Sequence, residues 1–182
     1  MNKTFPELER PEFSVQDASL LLEEHYGLAC TLEELQGERD RNYLARDSNS
    51  DSYVLKISNS CETLEFLKMQ NRALESVAKL LEQERIPRVH LDKNGESLVL
   101  ISSAGGTPHW IRLVHYVDGL PMATYRPHTR EFLLELGGIC GTVTKALHEI
   151  PEKPPVRRLL WEIHNVGETL YEYMPENSLL II

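Results

Sequence analysis

One lysine lies inside an apolar, strand-like run, and this position favours a chemical role. Lys56 follows Tyr53-Val54-Leu55 and precedes Ile57. Removing an unpaired ammonium group from water is expensive, so such a lysine either keeps its head in solvent at a sheet edge or points into a cleft and binds an anion. Phosphate is an anion that strand lysines bind in nucleotide sites. For a single lysine, both interpretations stay open.

The other candidate constellations in the sequence carry less chemistry. The seven histidines are not spaced as metal ligands. Cys30, Cys61 and Cys140 are far apart and are interpreted as free thiols of a reducing compartment. Residues 102–106 resemble a phosphate-binding loop only loosely, because no Lys-Ser or Lys-Thr pair follows, and we interpret them as a solvent loop. The sequence therefore predicts no metal site.

The composition predicts a cytoplasmic protein. The chain has 182 residues and a net charge of -9. This acidity argues against a nucleic-acid surface, which needs a basic stripe, and against binding to an anionic membrane. Residues 1–6 lack the apolar core of a signal peptide, and no apolar run is long enough to span a bilayer. We therefore expect neither nucleic acid nor a membrane as a partner.

The first part of the chain predicts a short helix followed by an antiparallel meander. Ser14 is suited to cap the start of an amphipathic helix, and Gly27 to end it. Strand-like runs follow at residues 29–35, 42–46 and 52–57. The segments between them, 36–41 and 47–51, contain the Gly, Asp, Asn and Ser residues of turns.

A long helix and further strands are predicted next. Residues 61–85 contain neither Gly nor Pro and carry leucines at helical spacing, which predicts a helix over this range. Residues 89–91 and 96–102 are predicted to form a hairpin around the turn 92–95. Residues 110–117 are predicted to form a further apolar strand.

After Pro127 the pattern becomes helical. An apolar stripe from Phe132 to Ile150 predicts a long helix, in which Gly137, Gly138 and Gly141 would allow close approach by a neighbour. Strands first and helices second indicate an α+β fold.

The C-terminal residues predict an incomplete structure. A helix is predicted near residues 159–166, and another begins at Asn177 or Ser178. The apolar stripe of this last helix is incomplete at Ile182, so we expect a truncated chain. The predicted domains are a lobe of strands at residues 1–120 and the start of a helical lobe at 121–182.

The order of these elements resembles the small lobe of protein kinases. A turn with a glycine, a lysine-bearing strand, a long helix, further strands and an apolar strand ending in Asp118-Gly119 follow one another as they do there. The chain is similar to the aminoglycoside phosphotransferase and choline kinase-like family. Within it, the closest resemblance is to the hydroxylysine kinase branch and to kinase-like modules that precede class-III aminotransferase domains.

Several local motifs carry this resemblance, which covers roughly residues 11–167. They are Pro11-Glu12-Phe13-Ser14, Ala18-Ser19, Tyr53-Val54-Leu55-Lys56-Ile57-Ser58-Asn59, Gln70-Asn71, Ile111-Arg112-Leu113-Val114-His115-Tyr116-Val117-Asp118-Gly119-Leu120-Pro121, the helix 137–147, and Leu160-Trp161-Glu162-Ile163-His164-Asn165-Val166. The resemblance implies an antiparallel sheet of about five strands plus one long helix, followed by the first helices of a truncated large lobe.

The resemblance also implies a nucleotide site around Lys56. Lys56 would contact the nucleotide phosphates, and Gly37 and Asn42 would lie in or beside the loop that covers them. The strand that ends near Val117 would be the hinge, where backbone groups of His115 and Val117 would bind the edge of adenine or guanine. The cofactor implied for a full-length relative is ATP or GTP with Mg.

The sequence departs from the family pattern on the long helix. The glutamate that should hold Lys56 is expected near position 68 or 70, where this chain has Lys68 and Gln70. Glu65 and Glu75 are nearby but do not fall in register. A neutral Gln70 could still accept a hydrogen bond from Lys56, which would give a weaker pair than the usual lysine and glutamate.

A second departure concerns catalysis. The family's catalytic segment is a His-Gly-Asp loop with a downstream Asn and a metal-binding Asp, and this chain has no His-Gly-Asp and no Asp after Asp118. Phosphoryl transfer depends on positioning and on neutralisation of charge by Mg²⁺. We therefore predict no catalytic residue and no metal ligand in this chain, and no activity of the chain alone.

Three hypotheses about function remain open. The first is the nucleotide-binding part of a small-molecule kinase that phosphorylates an alcohol group of a small amino alcohol or amino acid. The second is a non-catalytic binding or scaffold module associated with a pyridoxal-phosphate-dependent aminotransferase. The third is an α+β domain that binds no nucleotide. The apolar stripes at 130–150 and 179–182 predict self-association of the fragment.

Overall fold

The computed structural model describes residues 9–81 and 86–153, together with the single residues 155 and 167. In this part of the chain, strands come first and a long helix last. The helices are α1 Val15–Leu21, which a π-helical turn Leu22–Tyr26 continues, α2 Leu64–Ala78 and α3 Arg130–His148. The strands are β1 Thr31–Leu35, β2 Arg41–Arg46, β3 Ser52–Ile57, β4 Val89–His90, β5 Val99–Ser102 and β6 Pro108–His115.

The strands form one antiparallel sheet of six strands, where the family resemblance implied about five. The order is β1-β2-β3-β6-β4, and β5 also pairs with β6. The meander of β1, β2 and β3 is confirmed, with Asn42 opposite Lys56 in the β2–β3 register. Since β3 and β6 are central neighbours, their side chains lie side by side on each face of the sheet.

The predicted hairpin of residues 89–102 is wrong in its pairing. Its turn is present, because the Asp92 carboxylate accepts the backbone N–H groups of Asn94 at 2.8 Å and Glu96 at 2.7 Å. However, β4 and β5 pair with opposite ends of β6 and not with each other. The reason is length: β6 has eight residues, enough backbone groups for both short strands along one edge.

Alternate residues of the central strands point to opposite faces of the sheet. On one face, Tyr53, Leu55 and Ile57 of β3 are buried beneath the N-terminal helix. The core of this face consists of Phe13, Ala18, Leu22, Tyr26, Tyr43, Ala45, Tyr53, Leu55, Ile57, Ile101, Ile111 and Leu113. The opposite face carries polar side chains on the same strands, and it contains the candidate site described below.

The first helix begins and ends as the sequence predicts. The Ser14 hydroxyl accepts the backbone N–H of Asp17 at 3.1 Å, and the Asp17 carboxylate accepts the N–H of Ser14 at 2.7 Å. This reciprocal pair satisfies two donors that a helix start would leave exposed. Gly27 follows the π-helical turn with φ of 71°, a left-handed conformation that favours glycine.

Helix α2 is shorter than predicted. It begins at Leu64, because the Thr63 hydroxyl caps it by accepting the N–H of Phe66, and it ends at Ala78. Leu80 and Leu81 therefore follow the helix, and Leu81 packs against the cluster of Val77, Ile86 and Ala146. The last predicted residues, 82–85, lie outside the described residues.

Helix α3 packs against α2. A small core joins them, formed by Val77, Ile86 and Ala146, and the Ser76 hydroxyl donates to the Ala146 carbonyl at 2.9 Å. Among the described residues, nothing lies within 4 Å of a Cβ built on the three glycines of this helix, so the predicted close neighbour is not found there. Neither of the helices predicted near 159–166 and after 177 falls within the described residues.

Two further expectations concern the whole chain. Cys30, Cys61 and Cys140 form no disulfide. No helix within residues 9–81 and 86–153 has the length and apolar character needed to cross a membrane.

A pair of histidines at one end of the sheet predicts acid sensitivity. The rings of His90 and His115 lie 5.5 Å apart, and Tyr53 lies 5.2 and 5.0 Å from them. Burial lowers the pKa of both imidazoles from the ordinary 6.5, and for His115 the nearby Arg88 and His90 lower it further while Asp51 opposes this. The unfolded chain therefore binds protons at a pH where the native chain does not.

We expect the free energy of unfolding to fall as the pH drops below 6.5 and to level off once the lowered pKa values are passed. Urea unfolding at a series of pH values measures this. A variant with both His90→Phe and His115→Phe keeps the ring packing and should show a flatter profile. The exposed His148→Gln change should leave the profile unaltered, and an equal slope in all three proteins would contradict the prediction.

Candidate functional site

Three polar side chains lie in a row across the centre of the sheet. Asn42 on β2 is the register partner of Lys56 on β3, and Lys56 is the register partner of Arg112 on β6. Directly opposed residues of neighbouring strands place their side chains on the same face. This row lies on the face opposite the α1 core, and we call it the polar row.

Lys56 is half-buried and is held by the first member of the row. Its Nζ donates a hydrogen bond to Asn42 Oδ1 at 2.9 Å. Burial lowers the pKa of the Lys56 ammonium, Asp40 opposes that shift, and Arg112 reinforces it. The carboxylate that acts on Lys56 therefore comes from the β1–β2 turn and not from α2.

Gly37 fits closely against the same asparagine. A Cβ at position 37 would lie 2.3 Å from the backbone oxygen of Asp40 and 2.7 Å from Asn42 Nδ2. Any side chain there would displace the turn, so the close approach requires glycine. Gly37, Asn42 and Lys56, to which the family resemblance gives a place in or beside a phosphate site, thus lie together.

The β1–β2 turn is tied to the segment that leads into α2. Asp40 Oδ1 accepts the backbone N–H of Asn59 at 3.0 Å, and Asn59 Oδ1 accepts the N–H of Cys61 at 2.8 Å. Burial raises the pKa of the neighbouring Glu62 carboxyl, Arg39 and Arg112 oppose this, and Asp40 reinforces it. The polar row is therefore bordered by charges of both signs.

Arg112 is the member of the row that the sequence reasoning missed. Its side chain is only 6% exposed. Its Nη1 donates to Asn71 Oδ1 at 2.7 Å, and its Nη2 donates to Gln70 Oε1. Two amides on consecutive residues of α2 thus hold the guanidinium, and we call Gln70 and Asn71 the amide clamp.

The amide clamp answers a question that the sequence left open, namely whether Gln70 takes the place of the helix glutamate as the partner of Lys56. It does not: Gln70 binds Arg112, while Lys56 binds Asn42. A signal for Arg112 was present: like Lys56, it is a cation flanked by apolar residues in a strand. Burial lowers the pKa of the Arg112 guanidinium, while Asp40 and Glu62 oppose this, and arginine remains charged.

The predicted hinge residues lie apart from the polar row. The backbone N–H of His115 donates to the Arg88 carbonyl at 2.8 Å, so a nucleotide could use only the carbonyl of His115. The His115 ring contacts Tyr53 on the α1 face, which excludes it from the polar row. Val117 lies two residues beyond the end of β6 and is half-buried.

A metal site is not evident in this geometry. Among the residues that the structure describes, no group of three or more His, Cys, Asp or Glu side chains is arranged to hold a metal ion. Chemically, the polar row offers two cations whose hydrogen-bond partners are neutral amides, with the Asp40 carboxylate acting on both. Such an arrangement is suited to binding an anion.

Comparison with known sequences identifies a family. The sequence model described as the phosphotransferase enzyme family matches residues 31–179, which is most of the chain. No curated protein matches the chain significantly.

Two solved structures share the fold. One is the amicoumacin kinase hAmiN in complex with AMP-PNP, Ca2+ and Ami, with a TM-score of 0.61 and 16% identity over 80% of this chain. The other is a microcompartment-associated aminopropanol kinase, with a TM-score of 0.61 and 18% identity over 86% of this chain. The predicted α+β, kinase-like small lobe is thereby confirmed. This chain covers 43% of the first kinase and 48% of the second, less than half of either.

Proposed function

Because the chain belongs to the phosphotransferase enzyme family, we propose that its sheet binds the phosphates of a nucleoside triphosphate. In this proposal the chain is the N-terminal part of a small-molecule kinase. Residues 1–120 form the nucleotide-binding lobe and hinge, and residues 121–182 begin a helical lobe. The protein acts in the cytoplasm.

The observation that carries this proposal is the environment of Lys56. An ammonium group that is half-buried, as Lys56 is, loses part of its hydration and needs an ionic or hydrogen-bonding partner in return. Here its one hydrogen-bond partner among the described residues is a neutral amide, Asn42. Gly37 brings the β1–β2 turn against that amide. A phosphate oxygen beside this turn would supply the charge that the amide lacks.

The base of the nucleotide has a separate place in the proposal. The carbonyl of His115 and the backbone of Val117 bind the edge of adenine or guanine at the end of β6. Their side chains take no part, because backbone groups carry the contact. The nucleotide is ATP or GTP, and Mg accompanies it. The described residues do not offer this metal a cluster of ligands, and phosphate binding by the polar row does not depend on it.

We propose that the acceptor is an alcohol group of a small amino compound. The two kinases of similar fold are named for amicoumacin and aminopropanol. The transfer itself needs an aspartate that acts as the general base, together with metal ligands. No Asp follows Asp118 in this chain. We therefore expect nucleotide binding without phosphoryl transfer.

Exposed Leu133, Leu134 and Leu147 on α3 support self-association of the isolated chain, which size-exclusion chromatography tests.

A second candidate function is a non-catalytic scaffold associated with a pyridoxal-phosphate-dependent aminotransferase. One observation favours it: the long helix presents the amides of Gln70 and Asn71 to the sheet where a kinase presents a glutamate to its lysine. In that case the polar row stabilises the lobe without binding a nucleotide.

Calorimetric titration with ATP and GTP in the presence of Mg²⁺ tests the proposal. We expect binding by the unchanged chain and a loss of about ten- to a hundredfold in affinity for Lys56→Met, because a charge-assisted hydrogen bond to phosphate is removed. Lys68→Met, at an exposed position of α2, is the matched control and should bind as the unchanged chain does. Failure of the unchanged chain to bind either nucleotide would contradict the proposal and favour the scaffold.

A further inference from the structure

We propose that Arg112 is a second phosphate-binding cation beside Lys56, oriented for that role by the amide clamp. This inference rests on the proposed nucleotide-binding function and deepens it. Two cations suit an anion that carries several negative charges, and we assign the site the polyphosphate chain of the nucleotide. The assignment also gives the amides of α2 a function that a glutamate at the same place would not have.

The geometry places the two cations together. Lys56 and Arg112 are directly opposed on β3 and β6, so their side chains leave the sheet on the same face a few Å apart. The effect of each on the other is repulsive, since the charge of Arg112 lowers the pKa of Lys56. Asp40 is a carboxylate that acts on both cations, so two positive charges share it, and this arrangement favours a ligand that carries further negative charge.

The hydrogen-bond partners of Arg112 are neutral, and the carboxylates of Asp40 and Glu62 act on its charge from nearby. Within the described part of the chain, none of the ion pairs includes Arg112. Its two hydrogen bonds go to neutral oxygens. A guanidinium has five N–H donors. One of the others, Nε, is buried without a hydrogen-bond partner in the structure.

The amide clamp itself has an unused donor. Asn71 is 3% exposed, and its Nδ2 is buried without an acceptor in the structure. Buried donors without acceptors are rare in folded proteins and call for an explanation. Arg112 Nε and Asn71 Nδ2 belong to two side chains that contact each other, so one anionic group close to both would satisfy several donors in a single place.

The clamp also explains why arginine suits this position. Gln70 and Asn71 bind one N–H each from the two terminal nitrogens and thereby fix the plane of the guanidinium. A fixed, planar fork matches the oxygens of a phosphate, whereas the ammonium of a lysine is a mobile point charge. The neutral amides orient the guanidinium and leave its charge in place. A glutamate at the same position would orient it and also cancel its charge.

A purely structural role would use the same contacts, because Arg112 links β6 to α2. The two roles differ in what they do to ligands. A structural link affects unfolding and leaves the preference for phosphorylated over unphosphorylated ligands unaltered. A phosphate contact affects that preference directly.

The experiment compares ATP, adenosine and inorganic tripolyphosphate as ligands of the full chain by calorimetry. For Arg112→Lys we expect a loss of about tenfold in affinity for ATP and for tripolyphosphate, with adenosine affinity unchanged within about twofold. Gln70→Ala, at a half-buried position, removes one arm of the clamp and should reduce both phosphate affinities by about threefold.

Each outcome decides between the proposals. If Arg112→Lys loses affinity for ATP and for adenosine equally, or if neither Arg112→Lys nor Gln70→Ala loses affinity, the proposed role of Arg112 is overturned. If only Lys56→Met loses affinity for ATP, the role of Arg112 fails while the nucleotide-binding function stands. If the unchanged chain binds neither ATP nor tripolyphosphate, both proposals fail. If circular dichroism shows that Arg112→Lys does not fold, the ratio of ATP to adenosine affinity in Gln70→Ala decides.

Discussion

Replacing Gly37 by alanine is expected to destabilise the fold by about 1–3 kcal/mol and to weaken ATP binding by about tenfold. The new Cβ would lie 2.3 Å from the backbone oxygen of Asp40. Because this oxygen belongs to the backbone, no side-chain rotation can relieve the clash. The new Cβ would also lie 2.7 Å from Asn42 Nδ2. The turn must therefore move, and the asparagine that holds Lys56 must move with it.

Urea unfolding and calorimetric titration with ATP measure the two effects. Gly105→Ala is a matched control, because the nearest atom to a Cβ there is the Ser103 hydroxyl oxygen at 3.8 Å, an ordinary contact. We expect that control to keep both stability and affinity. If Gly37→Ala binds ATP as tightly as the control does, the β1–β2 turn does not belong to the phosphate site.

Elements whose conformation depends on their own residues could be predicted from the sequence. Ser14 and Asp17 cap α1 through bonds three residues apart, and β3 occupies residues 52–57, as predicted. Both signals are local. A cap involves residues within a single helical turn, and a strand is recognised by apolar and polar residues that alternate between two turn sequences. For the same reason Lys56 could be singled out by its apolar neighbours.

Pairing between strands could not be predicted in the same way. The turn at residues 92–95 is local and present, but it does not determine where β4 and β5 pair. Both add to the same edge of β6, which lies later in the chain. Such a choice depends on how many free backbone groups each candidate partner offers, and periodicity in the sequence does not carry that information.

The polar row shows the same limit at the level of the site. The partners of Arg112 lie 41 and 42 residues away on α2, and their register with β6 follows from how the helix packs. The family pattern predicts a glutamate on α2 facing Lys56. It carries no information about which other strand residue the amides at those positions hold.

The contact between Asn71 and Arg112 is expected to have the largest effect on stability when only one partner is removed. Asn71 is 3% and Arg112 6% exposed. Asn71→Leu removes the Oδ1 that accepts from Nη1 at 2.7 Å, and leaves a buried cation with a single amide. Loss of one partner of a buried charged group destabilises by about 3 kcal/mol, which denaturant unfolding measures.

A second change in the same protein should reverse that loss. When Arg112→Met is added to Asn71→Leu, the two apolar side chains can pack together and no buried charge lacks a partner, so part of the stability should return. If the double variant is no more stable than Asn71→Leu, the contact is not the source of the loss.

The double variant also separates stability from binding, because it regains a packed interface between α2 and β6 without the second cation. Its affinity for ATP should therefore stay about tenfold below that of the unchanged chain even where its unfolding curve approaches the native one. Recovery of both properties together would mean that Arg112 serves only to join the helix to the sheet. Recovery of stability without recovery of affinity would mean that Lys56 and Arg112, two cations with neutral hydrogen-bond partners, are kept in this lobe to bind the ligand.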